Sequence, residues 1–113
     1  MSGLMTESAQ RQRKRLKVVL SDRDEVRVSF DLEKGQVIGF AVQYLAMIGG
    51  KWQPVVRFDT AHGRPHMDIS HPDGSQETRT FPFSDYGTAL TYAIDYIQER
   101  WQSWRERYEE KNR

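Results

Sequence analysis

At 113 residues the chain has room for one domain, and its 37% hydrophobic content with 12% aromatics can build a core, which argues against wholesale disorder. It has no cysteine, so disulfides, thiolate metal sites and thiol nucleophiles are excluded together. The formal charge of +1 conceals a basic N-terminus, because residues 1–17 hold Arg11, Arg13, Lys14, Arg15 and Lys17 against Glu7 alone.

Residues 1–15 are polar and lack a strong apolar period, which predicts a flexible or weakly helical basic arm ahead of a single α+β domain over residues 16–113. Strand character begins at Leu16, with Val18, Val19 and Leu20 following, and Ser21 to Asp24 interrupts it. From Glu25 to Leu32 the pattern alternates, with Val26, Val28, Phe30 and Leu32 on one side and Arg27, Ser29 and Asp31 on the other. This is the signature of a half-buried strand. A three-residue loop Glu33-Lys34-Gly35 would place Phe30 opposite Ile38, Val28 opposite Phe40 and Val26 opposite Val42.

The next strand runs from Gln36 to about Ile48. A two-residue Gly49-Gly50 turn would set Val42 against Arg57. A three-residue loop Gly49-Gly50-Lys51 pairs Ile48 with Trp52, Tyr44 with Val56 and Val42 with Phe58, and is preferred. Trp52 to Thr60 leads through Ala61-His62-Gly63-Arg64 into Pro65 to His71, with Phe58 facing Met67 and Val56 facing Ile69. His71-Pro72-Asp73-Gly74 reads as a turn, and Gln76 to Phe83 as a last strand of open register.

Ser84 is the expected N-cap, with Asp85 in the first turn of a long amphipathic helix. Leu90, Ile94, Ile97, Trp101, Trp104 and Tyr108 form its apolar stripe. A helix from Ser84 to Glu110 would run roughly 40 Å, whereas strands of eight residues span only ~27 Å. Trp101, Trp104 and Tyr108 are therefore expected beyond the sheet, where they would bind a partner or a second copy of the chain. The expected fold class is α+β: an antiparallel meander of four to six strands against one C-terminal helix.

Strand alternation sorts the polar residues as well. It sets Arg57 opposite Asp68 and Asp59 opposite His66 on the face away from the helix, with Gln43 and the small Ala41 and Gly39 alongside. His62 and Arg64, on the connecting loop, are expected to fold over the same end, and His71 to point the other way. All three histidines fall between Arg57 and His71, a concentration that solubility does not require. Cross-strand ion pairs on a solvated face are the plain structural account of the same row. The chemical account is metal-independent phosphodiester cleavage. In it His66 is acid or base, Asp59 orients it, Arg57 and Arg64 hold phosphate, and His62 lies within reach. A divalent ion on His62, His66 and Asp68 is the lesser chemistry, because His-x-x-x-His spacing suits a helix rather than a hairpin, so no metal and no cofactor is assigned.

The run Val56-Arg57-Phe58-Asp59-Thr60-Ala61-His62-Gly63, then Pro65-His66 and the His71-Pro72-Asp73-Gly74 turn, resembles small prokaryotic domains related to the TumE-type proteins of toxin–antitoxin loci. The resemblance spans about Val55 to Trp104 and implies a toxin-like role acting on RNA beside a small partner protein. Three function classes follow. The leading one is an interaction protein of toxin–antitoxin type, working as a homodimer or with a small protein partner through the C-terminal helix. The others are an RNA-directed nuclease and a structural or assembly protein. The basic segment Arg11 to Lys17 is a candidate contact for nucleic-acid phosphates. No apolar run approaches the roughly 20 residues of a bilayer span, and no signal-peptide core is present, so the expected setting is cytoplasmic with no membrane partner.

Overall fold

Six strands follow one another along the chain and pair in that same order as one antiparallel sheet. They are β1 (Arg11–Ser21), β2 (Asp24–Glu33), β3 (Gln36–Ile48), β4 (Lys51–Asp59), β5 (His66–Ser70) and β6 (Gln76–Thr80). A helix, α1 (Tyr86–Lys111), closes the chain, and the fold is α+β as expected. The computed structural model describes residues 11–81, 83 and 85–112.

β1 begins at Arg11, so residues 11–15 are strand rather than arm, while residues 1–10 lie outside the described residues. Charge pairing, not an apolar period, carries its first half. Arg13 Nε donates to Asp31 Oδ1 at 2.7 Å and Nη2 to Oδ2 at 3.0 Å across the β1–β2 ladder.

The two central hairpins combine a tighter turn with a bulge. Lys34 and Gly35 both have positive φ (52° and 77°), and Glu33 pairs with Gln36, which makes a two-residue loop. Ile38 is then an extra residue between the pairs Asp31–Gly39 and Leu32–Val37. The partners move by two places, to Phe30–Phe40, Val28–Val42 and Val26–Tyr44. A shift of two preserves the faces. Gly49 and Gly50, at φ 64° and 79°, also form a two-residue turn, and Ile48 pairs with Lys51 rather than Trp52. Val55 is the extra residue that restores Tyr44–Val56 and Val42–Phe58. The β4–β5 register matches expectation at all four pairs, and β6 joins with Asp68 opposite Thr78 and Met67 opposite Arg79.

The core lies between one sheet face and α1. Val26, Val28, Phe40, Val42, Tyr44, Val56, Phe58, Met67 and Ile69 meet Ala89, Leu90, Ala93, Ile97, Trp104 and Tyr108. Ala89 and Ala93 are fully buried, and their small side chains let the helix backbone approach the strands. Ile38, expected in this core, is exposed because the bulge turns it out.

Asp85 is the N-cap. It accepts from Gly87 N at 3.2 Å and from the Thr88 hydroxyl, and these bonds hold its carboxyl below the usual range. Ser84, the expected cap, lies outside the described residues.

The aromatic end of the helix does not overhang. β3 has 13 residues, ~43 Å of strand, against 26 residues or ~39 Å of α1. Trp104 and Tyr108 are buried beside Val55 and Ile69, and Trp101 meets Tyr44 edge-on at 6.3 Å. The sheet of the same chain covers the stripe, so exposure no longer argues for a partner there. Arg105 fastens this end, donating to Asp24 Oδ1 at 2.7 Å and to the Met47 carbonyl at 3.0 Å. The buried Tyr44 hydroxyl donates to the same Asp24 oxygen at 2.6 Å, and Ser21 Oγ to Oδ2 at 2.6 Å. Burial first, and then the Asp24 carboxylate, push the ionisation of Tyr44 far up.

Candidate functional site on the open sheet face

The registers carry a second set of side chains to the face opposite α1. Arg13, Arg15 and Lys17 alternate along β1, opposite Asp31, Ser29 and Arg27 of β2. Gly39, Ala41 and Gln43 follow on β3, and Ala41 pairs with Asp59 while Gln43 pairs with Arg57. Arg57 pairs with Asp68 and Asp59 with His66, as alternation predicts, and Asp68 and His66 then face Thr78 and Thr80. The row is one surface.

Small side chains in its middle leave space. An open trough of about 760 Å³ is lined by Arg15, Lys17, Glu25, Arg27, Ser29, Ala41, Gln43, Trp52 and Arg57. A second hollow of about 270 Å³ lies beside it, between Arg13, Asp31, Gly39, Ala41, Arg57 and Thr60. Three of the bordering guanidinium groups are partnered. Arg13 holds Asp31 at 2.7 Å, Arg27 holds Glu25 at 2.6 Å, and Arg57 holds Asp59 at 2.7 Å. Bonding to Arg13 draws the Asp31 carboxyl below the ordinary range, and the same bond raises Arg13. Arg15 and Lys17 have no carboxylate partner among the described residues.

At the β4–β5 end the groups close on one another. His66 Nε2 is 2.9 Å from Asp59 Oδ1 and 3.6 Å from Asp68 Oδ2. The other atom of each side chain is engaged elsewhere. Arg57 Nε donates to Asp59 Oδ2 at 2.7 Å, Thr78 Oγ1 donates to Asp68 Oδ1 at 2.7 Å, and His66 Nδ1 lies 3.2 Å from the Arg64 carbonyl. Ala61 N also donates to Asp59 Oδ1 at 3.1 Å, which ties the loop to the strand. Asp59 is 8% exposed.

Of the residues expected in the row, Arg57, Asp59, His66, Asp68 and Gln43 share this face. His62 and Arg64 do not fold over it. His62 sits exposed in the short turn Ala61–Gly63, at φ 68°, and Arg64 lines a separate hollow with Pro65, Phe81 and Tyr86. The Tyr86 hydroxyl donates to the Gly63 carbonyl at 2.6 Å, which ties this turn toward the helix. His71 lies near Lys111 of α1, its Nδ1 3.4 Å from Nζ, on the opposite face as expected. Trp101, Trp104 and Tyr108 belong to the core side.

Sequence reasoning named Arg13, Arg15 and Lys17 as candidate phosphate contacts on an arm but did not place them on this sheet face. Their signal is the step of two from Arg11 to Lys17, a strand period written in charges. It also missed Thr78, because the β6 register was open, and Trp52, because the Val55 bulge inverts the faces of β4 before it.

Among the described residues no helix is long and apolar enough to cross a membrane. No curated protein and no solved structure matches the chain. Residues 8–113 match the model of a domain of unknown function, DUF7718, and the chain belongs to that family.

Proposed function

We propose that the open sheet face binds single-stranded RNA, its phosphates along the basic side of the trough and a base against Trp52. The observation that carries the reading is the convergence of Arg13, Arg15, Lys17, Arg27 and Arg57 around a floor of Ser29 and Ala41. Successive β1 cations stand ~6.8 Å apart, a ladder of charge suited to a repeating anion. An indole beside such a ladder offers a stacking platform that tolerates any base. A sheet face with small central residues lets a flexible strand lie close, which a closed pocket would not.

Acid–base cleavage by His66 alone is the weaker reading, because both of its ring nitrogens already face acceptor oxygens and neither is free for a substrate. Of the toxin–antitoxin role implied by the resemblance, the RNA-directed part is what this face favours, and the proposed setting is the cytoplasm, where single-stranded RNA is plentiful. A labelled single-stranded RNA should bind at low salt and bind more weakly to the Arg15→Ser, Lys17→Ser double variant. Failure of the unaltered protein to bind at low salt overturns the reading.

A further inference from the structure

We propose that Asp59, His66 and Asp68 form a binding site for one divalent transition-metal ion of the Mn2+ or Zn2+ class, at the end of the basic face. The inference does not depend on RNA binding. The three side chains offer ligand atoms that all lie within 4.8 Å of one another. With metal–ligand bonds of about 2.1 Å, neighbouring ligands stand roughly 3.0 Å apart in an octahedron and roughly 3.4 Å apart in a tetrahedron. The Nε2–Oδ1 and Nε2–Oδ2 separations of 2.9 and 3.6 Å bracket those values.

A second observation points the same way. Each ligand is steadied through the atom that does not face the cluster. Arg57 holds Asp59 by Oδ2, Thr78 holds Asp68 by Oδ1, and the Arg64 carbonyl lies 3.2 Å from His66 Nδ1. A metal-ligating histidine commonly donates its remote N–H to a backbone carbonyl, which fixes the tautomer and aims the other nitrogen at the ion. His66 Nε2 stands beside both carboxylate oxygens, Asp59 Oδ1 and Asp68 Oδ2, so a ring carrying its proton on Nδ1 would turn three electron-pair donor atoms to one point, where a cation would be held. One imidazole with two carboxylates suits Mn2+ or Zn2+ better than Mg2+, which gains little from nitrogen. All three side chains are more than four-fifths shielded, so water competes weakly for the ligand atoms.

The test uses the full chain, freed of metal by chelation, with MnCl2 or ZnCl2 as titrant and no nucleic acid present. Calorimetry should show one saturable ion per chain, and Asp68→Asn and His66→Gln should each weaken it more than tenfold. Thr78→Val, which touches only the supporting bond, should weaken it about tenfold. On the unaltered protein, Mn2+ should broaden the nuclear resonances of His66 before those of His62 and His71, a readout that needs no variant to fold. Absence of saturable binding, undiminished binding in both ligand variants, or broadening centred on His62 or His71 overturns the proposal. Because RNA is absent throughout, its outcome is separate from that of the RNA reading.

Discussion

Replacing Arg15 and Lys17 with serine should flatten the salt dependence of RNA binding by a calculable amount. These two cations lack carboxylate partners among the described residues, whereas Arg13, Arg27 and Arg57 must loosen bonds of 2.6–2.7 Å to meet a phosphate. On single strands each neutralised phosphate contributes about −0.7 to the slope of log affinity against log salt. Five contacts give a slope of about −3.5, and three give about −2.1. Between about 50 and 200 mM salt the unaltered protein should lose roughly a hundredfold in affinity, and the double variant roughly twentyfold. Fluorescence anisotropy of a labelled single strand across that range reads both slopes. Both residues lie on the exposed β1 edge strand, so the substitutions should leave the fold intact. Equal slopes for the two proteins would mean that Arg15 and Lys17 touch no phosphate, and the trough would lose its role.

Two further predictions concern the scaffold. Tyr44→Phe removes the hydroxyl that donates to Asp24 at 2.6 Å inside the core and should lower stability by about 1–3 kcal/mol in urea unfolding. An unchanged midpoint would show that Arg105 and Ser21 satisfy Asp24 unaided. Arg13 holds the Asp31 carboxyl below its ordinary value, so the pair stabilises the fold fully above the unfolded carboxylate value of about 3.9, and that contribution disappears as pH falls through the depressed folded value. Arg13→Ala should therefore melt below the unaltered protein at neutral pH, and the gap should close as acid protonates Asp31. A gap that persists undiminished in strong acid would contradict the assignment.

Apolar alternation made the middle of the sheet legible. Val26, Val28, Val42, Val56, Phe58, Met67 and Ile69 announce their common face, and Arg57, Asp59, His66 and Asp68 fall to the reverse by the same rule. What alternation cannot register is a bulge. The extra residues Ile38 and Val55 let two-residue glycine turns coexist with the central pairs, whereas hairpins without bulges needed longer loops. Nor does an apolar period reveal a strand such as Arg11 to Arg15, which is held by its neighbour's carboxylate. Trp104 and Tyr108 are buried beside Val55 of β4 and Ile69 of β5, and the path of the helix across those strands is not written in any turn signal. At the site, facing pairs were legible, but the supporting bonds from Thr78 and to the Arg64 carbonyl depend on a register and a loop path that no residue pattern dictates.

The three tryptophan indoles report on which side of the sheet RNA lies. Trp52 lines the basic trough, while Trp101 packs against Tyr44 and Trp104 donates to the Tyr96 hydroxyl at 3.1 Å, both on the helix side. In a 15N-labelled sample titrated with a single-stranded RNA, the Trp52 indole resonance should move and the other two should hold still. Movement of Trp101 or Trp104 with Trp52 unmoved would place the ligand on the wrong face and contradict the account.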